Sequence, residues 1–229
     1  MKISAFYFIL GIGFLLIAAV IWWGLHKQVV PLQPVTSTAS STEATNTPSL
    51  SGLSIYANGE YGFSIFYSES VKVQNSFDTQ YHLPATWRVN ALGNATGTSV
   101  VSFIGYKVTN AHSYPRYYEV EVRVGISADP KELAACEKPN NGEVALSATP
   151  IHGVMWKTFS LQSAGMMQYP KGTSYRIIHD NTCYALEQVA AGSSYRDDPP
   201  SSSDIPDTVL TQHYDDLAPI IQSFSFARP

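Results

Sequence analysis

The chain opens with a long apolar stretch, after which apolar and polar residues recur mostly at strand spacing. Ile3–Leu25 contains no charged residue and ends near the paired aromatic residues Trp22 and Trp23. As a helix this stretch is about 34 Å long, enough to cross a hydrocarbon core of ~30 Å. A cleaved secretory signal would need small residues where the two tryptophans lie. The pattern therefore favours an uncleaved signal anchor over residues 1–26, formed by a single N-terminal transmembrane helix.

A change in composition marks the next segment. Residues 27–52 are rich in Ser, Thr and Pro and poor in large apolar side chains. Such a segment buries too little surface to offset the entropy of ordering it. We therefore predict a disordered linker over 27–52 and one domain over 53–229.

Alternation within the domain predicts a mostly antiparallel sheet. The pattern is clearest over Tyr117–Ile126, where four aliphatic residues alternate with Glu119, Glu121 and Arg123, as in a strand with one buried and one solvated face. Strands are predicted at Ser54–Tyr56, Tyr61–Tyr67, Trp87–Leu92, Ser99–Lys107, Tyr117–Ile126, Val144–Pro150, Val154–Leu161, Ser174–His179, Cys183–Val189 and Phe224–Phe226.

Two helices and two loops complete the predicted elements. Asp129-Pro130 is a start signal for a helix from Lys131 to about Glu137. Asp207–Ser223 has helical spacing, which Pro219 should kink or restart. Gly165–Lys171 and Ala190–Pro206 are predicted loops. The fold class is therefore α+β, a mostly antiparallel sheet with flanking helices, preceded by the transmembrane helix.

Charge and cysteine content restrict the setting. The chain has 14 Lys and Arg against 18 Asp and Glu, with no basic run, so nucleic acid is not expected as a partner. In a cytosolic protein, Cys136 and Cys183 would usually be unpaired, whereas beyond a membrane an even count favours a bridge. Neither has a second Cys or His at metal-ligand spacing. We predict a cell-membrane protein with a cytoplasmic N-terminus and residues 28–229 outside. We also predict a disulfide between Cys136 and Cys183.

Two resemblances support this arrangement. Tyr61–Tyr67 and Ile221–Phe226 resemble the opening strand and closing helix-to-strand segment of PsbP-like domains, which pack helices on an antiparallel sheet. From Val122 to Phe226 the chain also resembles a group of uncharacterised membrane-anchored bacterial extracytoplasmic proteins. That resemblance rests on Val124–Ser127, Asp129-Pro130, Cys136, Tyr175-Arg176, His179, Cys183–Ala185 and Glu187. It implies a disulfide between the short helix and the late hairpin and implies no activity.

Candidate binding residues fall in two places. If Asp180-Asn181 is a hairpin turn, Arg176 and Glu187 are diagonal neighbours on one face, which predicts a cross-strand ion pair. His179 falls on the opposite face, so a site combining all three is the less favoured interpretation.

The second place is Tyr114-Pro115-Arg116-Tyr117-Tyr118, which contains residue types common at interaction hot spots. Tyr114, Arg116 and Tyr118 are its candidate binding residues. Packing of Tyr117 and Tyr118 on opposite sides of a strand is the simpler alternative.

The predicted function follows from these features. The sequence has no motif for a catalytic nucleophile, a phosphate-binding loop or a metal ligand set. We therefore predict a membrane-anchored extracytoplasmic binding or assembly module of unknown ligand, with no catalytic residue, metal or cofactor. Its expected partner is an envelope protein or another surface component. The alternative is a cell-envelope hydrolase that uses His179 or an acid.

Overall fold

Strands dominate the computed structural model, which describes residues 52–77, 83–91, 94–108, 118–164, 168–193 and 205–227. The strands are β1 (Leu53–Asn58), β2 (Phe63–Ser68), β3 (Lys72–Gln74), β4 (Thr98–Lys107), β5 (Tyr118–Ser127), β6 (Glu143–Ile151), β7 (Val154–Gln162), β8 (Gln168–His179), β9 (Thr182–Ser193) and β10 (Ser225–Phe226). The helices are α1 (Pro130–Ala135), α2 (Asp207–Asp215) and α3 (Ala218–Ser223). The expected fold class is confirmed in its main part, a mostly antiparallel sheet with few helices.

The predicted transmembrane helix Ile3–Leu25 lies outside the described residues, as does the linker up to residue 51. Within the described ranges, no helix combines the length and apolar character needed to span a membrane.

The strands form two antiparallel sheets. One has three strands in the order β1-β2-β10, and the other has seven in the order β3-β4-β5-β9-β8-β7-β6. The β8–β9 hairpin has the predicted turn, with positive φ angles of 45° at Asp180 and 56° at Asn181. Two successive left-handed residues are typical of a type I′ turn, which matches the twist of hairpin strands. This turn fixes the register that pairs Ile178 with Cys183 and Arg176 with Ala185.

One side of the seven-stranded sheet, the apolar face, carries Val120, Val122 and Val124 of β5. It packs against the three-stranded sheet and the two C-terminal helices, which contribute Phe63, Ile65, Leu217, Ile220, Ile221 and Phe224. As expected, the apolar pattern over 207–223 is broken near Pro219, which lies in the first turn of α3 and restarts the helix.

The other side, the charged face, carries Glu119, Glu121 and Arg123 of β5. Every residue of β5 is nevertheless buried, so the predicted half-solvated strand is wrong. The charged face is covered by residues 83–91 and by α1, which bring Leu83, Trp87, Val89 and Leu133 onto it. A sequence pattern cannot distinguish a solvated charge from one that is buried beside a distant partner.

The segment over the charged face is the predicted strand Trp87–Leu92, and its described part contains no strand. Its backbone crosses the sheet instead of pairing along an edge. A Cβ added at Gly125 would lie 1.6 Å from the carbonyl oxygen of Trp87. The glycine in β5 therefore provides the space in which the crossing chain lies.

Two predicted loops are also partly wrong. The described part of Gly165–Lys171 belongs to β8, and Ala190 to Ser193, at the start of Ala190–Pro206, continue β9. Both strands extend because each pairs with the other over twelve residues, from the Gln168–Ser193 pair to the turn. Small residues such as Ala190 and Gly192 suggest a loop in sequence, yet here they are buried in the sheet.

The predicted disulfide is present and attaches α1 to the sheet. Cys136 caps the C-terminal end of α1 and bonds to Cys183 at the start of β9, with Cα atoms 5.8 Å apart. The predicted N-cap is also present, since the Asp129 side chain accepts hydrogen bonds from the backbone N–H groups of Lys131 and Glu132. With six residues, α1 is too short to be stable without such attachments.

We expect the Cys136→Ser and Cys183→Ser double variant to lose about 2–4 kcal/mol in free energy of unfolding, because the bridge closes a loop of 47 residues. Urea denaturation of the detergent-solubilised chain measures this, with dithiothreitol-treated wild type as the comparison. Hydrogen exchange should increase most in α1 and in residues 83–91. A loss below 0.5 kcal/mol would show that the bridge adds little.

Candidate functional site

The predicted cluster of Arg176 and Glu187 is buried below the surface. Both side chains are inaccessible to solvent. Arg176 pairs with Glu143 of β6 instead of Glu187, with Nη2 2.5 Å from the Glu143 Oε2. Its Nη1 donates to the carbonyl of Lys138, and the guanidinium lies 3.8 Å from the ring centre of Phe159. Arg176 and Glu187 lie on the same face of the sheet, as predicted. The predicted ion pair between them is replaced by one between Arg176 and Glu143 of β6.

Glu187 has a backbone partner. Its Oε2 accepts a hydrogen bond of 2.6 Å from the N–H of Val89. Burial raises the pKa of Glu187, and this rise is opposed by the Val89 N–H and by the nearby charges of Arg123 and Arg176. The carboxylate therefore holds the covering segment on the sheet, and it is shielded from any ligand in solution.

Neighbouring charges on the charged face are also paired. Arg123 donates to the carbonyl oxygens of Pro84 and Thr86, at 2.5 and 3.2 Å, and its Nη2 lies 2.8 Å from Glu121 Oε1. Burial raises the pKa of Glu119, an effect that Lys107, 3.1 Å away, counteracts. Arg123 thereby attaches the covering segment to the sheet, and Lys107 and Glu119 connect β4 to β5.

His179 is separated from this cluster. It lies on the apolar face, stacked on Phe226 with ring centres 3.8 Å apart. Its Nε2 is 3.4 Å from Asp180 Oδ2, and its side chain is 41% exposed. Arg176 and Glu187 point to the other side of the same sheet, so the three predicted residues do not converge.

Tyr118 leads to a different site, the tyrosine cavity, with a volume of about 590 Å³. It lies on the apolar face beneath α2. Tyr118 of β5 and Tyr169 of β8 both pair with Gly192 of β9, which places the two rings on either side of a residue without a side chain. Tyr214 of α2 forms a third aromatic wall. The predicted partners Tyr114 and Arg116 lie outside the described residues.

Hydrogen bonds fix two of these rings. The Tyr118 hydroxyl donates to the carbonyl of Leu210 at 2.8 Å, and the Tyr214 hydroxyl donates to the carbonyl of Gln188 at 3.2 Å. Burial raises the pKa of Tyr118 and of Tyr214, so both rings stay neutral at physiological pH. The cavity thus has rigid, uncharged aromatic walls.

Two charged side chains of opposite sign also line the cavity. Lys171 Nζ lies 5.8 Å from the ring centre of Tyr169, and Asp207 is the first residue of α2. Neither has an ion-pair partner within the described ranges. The sequence interpretation missed three of these residues. Tyr169 and Lys171 fell in the predicted loop Gly165–Lys171, and Tyr214 was assigned to the apolar side of a predicted helix. The alternation of Tyr169, Lys171 and Thr173 is the signal that would have indicated a strand.

Comparison with known proteins gives similarities to solved structures. No family model and no curated protein sequence matches the chain. The structure is similar to the solution structure of cyanobacterial PsbP (CyanoP) from Synechocystis sp. PCC 6803, at 11% identity and a TM-score of 0.36. The match covers 78% of this chain and 95% of that one. Membership in the PsbP-like family and in the membrane-anchored bacterial group both stay predictions.

A substitution can show that Arg176 acts as a structural residue. Arg176→Met leaves Glu143 buried without its partner, so we expect a loss of about 3–5 kcal/mol in the free energy of unfolding. Adding Glu143→Leu should restore most of it, because no uncompensated charge then remains. Lys157→Met is the control, since Lys157 is the exposed cross-strand neighbour of Arg176. A single variant as stable as this control would contradict the assignment.

Proposed function

We propose that this chain is a membrane-anchored extracytoplasmic binding module that holds a small zwitterionic ligand in the tyrosine cavity. The proposal rests on one observation. Lys171 and Asp207 have opposite charges, have no ion-pair partner within the described ranges, and line the same cavity as three tyrosine rings. The proposal has two parts, the ligand and the location, and each has its own support.

The size and chemistry of the cavity support a small ligand. Small-molecule sites are typically clefts of about 300–1,000 Å³ with apolar or aromatic walls and a few polar groups that orient the ligand. The tyrosine cavity, at about 590 Å³, falls within this range. Its described walls belong to four strands and a helix, so the ligand would meet a preformed surface that loses little entropy on binding.

The two charges select the ligand class. An ammonium group on the ligand is attracted to the Asp207 carboxylate and to the electron-rich faces of Tyr118 and Tyr214. A carboxylate on the ligand forms a charge-assisted hydrogen bond with Lys171. A molecule with one charge of each sign and an apolar part between them satisfies both residues. A short peptide with free termini has this chemistry.

The location is supported by the disulfide and by the N-terminal sequence. Disulfides persist in oxidising compartments and are rare in the cytosol. Both cysteines of the chain are used in one buried bridge. Together with the apolar stretch Ile3–Leu25, this favours a domain on the outer side of the membrane.

Binding without reaction is favoured over the hydrolase alternative. That alternative uses His179 or an acid, and His179 is stacked on Phe226 on the other side of the sheet from Arg176 and Glu187. The described lining of the tyrosine cavity contains no His, Cys or Ser side chain. Lys171 and Asp207 are placed in this lining to orient a charged ligand.

Isothermal titration calorimetry of the detergent-solubilised chain with the dipeptide Gly-Phe tests the ligand. We expect measurable binding, weakened several-fold by Lys171→Gln or Asp207→Asn, because each removes one exposed charge contact of about 0.2–1 kcal/mol. N-acetyl-Gly-Phe and Gly-Phe-amide should bind less well for the same reason. Thr211→Trp should abolish binding by filling the cavity, whereas Thr208→Trp, also exposed on α2, should leave it intact. No heat of binding with Gly-Phe, or equal binding to both tryptophan variants, would refute the site.

Protease accessibility tests the location separately. We expect proteinase K added to intact spheroplasts to digest the domain, because residues 28–229 are predicted to lie outside the membrane. A cytoplasmic protein should stay protected in the same sample. Complete protection of the domain until detergent is added would refute the orientation and leave the ligand proposal unaffected.

A further inference from the structure

The seven-stranded sheet has one apolar open edge. β6 is its last strand and hydrogen-bonds to β7 on one side. Five successive residues of β6, from Val144 to Ala148, are exposed. We infer that two copies of this chain associate by antiparallel pairing of β6 with β6, forming one sheet that continues through both.

The register shows which face of the edge is uncovered. Val144 pairs with Ser160, and Leu146 pairs with Thr158. Ser160 and Thr158 lie on the apolar face of β7, on the same side as Trp156. Trp156 is buried in the core, whereas Val144 and Leu146 are 64% and 49% exposed. The apolar face thus continues past the part that α3 covers, and aliphatic side chains there lie in water.

β7 extends this surface. Val154 is 39% exposed on the same face, and the adjacent Met155 is 58% exposed. Single exposed apolar residues are normal on a protein, but contiguous ones indicate a surface that a partner covers. Pairing with a second β6 would cover Val144 and Leu146 of both copies.

Charge identifies the partner as a second copy. No charged residue occurs between Val144 and Ile151. Edge strands that stay unpaired are commonly protected by charged side chains, by proline or by bulges, as Lys72 protects β3 at the other edge of this sheet. In β6 the bulge after Leu146 and Pro150 protect the second half of the strand, and Val144–Leu146 has no such device. Each chain carries a net charge of −4, so an uncharged strand is where two copies meet with least repulsion. Antiparallel self-pairing also fits the two-fold symmetry of most dimers.

A bulge sets the length of the pairing. The β6–β7 register shifts between Leu146 and Thr149, which leaves Glu143–Leu146 as the longest regular stretch. Pairing of two copies centred on Ala145 would place each Ala145 opposite its counterpart. Opposed residues in an antiparallel pair have Cα atoms about 4.5–5.5 Å apart. This is within the range of about 4.4–6.8 Å that a disulfide spans.

Cysteine cross-linking in membranes tests the pairing on the full chain. Because both native cysteines are bonded to each other, a cysteine introduced by Ala145→Cys is the one free thiol. Copper phenanthroline oxidation followed by a non-reducing gel should give a product at twice the chain mass of 25.1 kDa. We expect at least tenfold more of it than from Lys72→Cys, at the opposite edge of the sheet.

A second substitution tests whether the apolar surface drives the association. Leu146→Lys added to Ala145→Cys should lower the dimer yield at least fivefold, because it puts like charges at the interface. Val209→Lys is the matched control, since Val209 is a 40% exposed aliphatic residue on α2, and the yield should not change. The proposed register places Ser147 opposite Glu143 of the other copy, so Ser147→Cys should give far less product than Ala145→Cys. A yield from Ala145→Cys no higher than from Lys72→Cys or Ser147→Cys would overturn the inference. So would a cross-linked product of another mass, or no effect of Leu146→Lys.

Discussion

Burial of the charged face is the constraint on which the rest of the structure depends. A central strand with acidic and basic side chains on one side is stable only if each charge finds a partner as water is excluded. Here the partners come from residues 83–91, whose backbone carbonyls accept from Arg123 and whose Val89 N–H donates to Glu187. The sheet is therefore covered on one side by a hydrocarbon core and on the other by paired charges under a single crossing segment.

The disulfide complements these electrostatic contacts. A segment held by a few charge-assisted hydrogen bonds can open locally, and each opening would expose ions with no partner. By bonding α1 to Cys183, the bridge adds a covalent attachment beside Trp87, in the same cluster of buried side chains. This explains why a six-residue helix with no buried side chain of its own persists on this side of the sheet. The cover and the bridge stabilise one another.

Local signals in the sequence were enough for much of this fold, and long-range pairing explains the rest. The β8–β9 register followed from Asp180-Asn181, and the start of α1 from Asp129-Pro130, because turns and caps depend on adjacent residues. The prediction that one face of β5 is solvated was wrong. Alternation in the sequence indicates which side chains are polar, and only the fold shows what covers them. The tyrosine cavity was missed for a similar reason: Tyr118, Tyr169 and Tyr214 are far apart in sequence, and Gly192 between two rings has no sequence signature.

The two unassigned surfaces are consequences of how the apolar face is covered. The three-stranded sheet and α3 pack against its middle, where the aromatic cluster around Phe224 fills the space. Toward the start of β8 the cover is α2, which meets the sheet through tyrosines and leaves a cavity. Toward β6 the cover stops before the sheet does, and Val144 and Leu146 stay exposed. The two surfaces are neighbours on the sheet, because Leu161, which lines the tyrosine cavity, pairs with Glu143 at the start of β6. A second copy paired along β6 would therefore lie beside the cavity, and β7 lies between them.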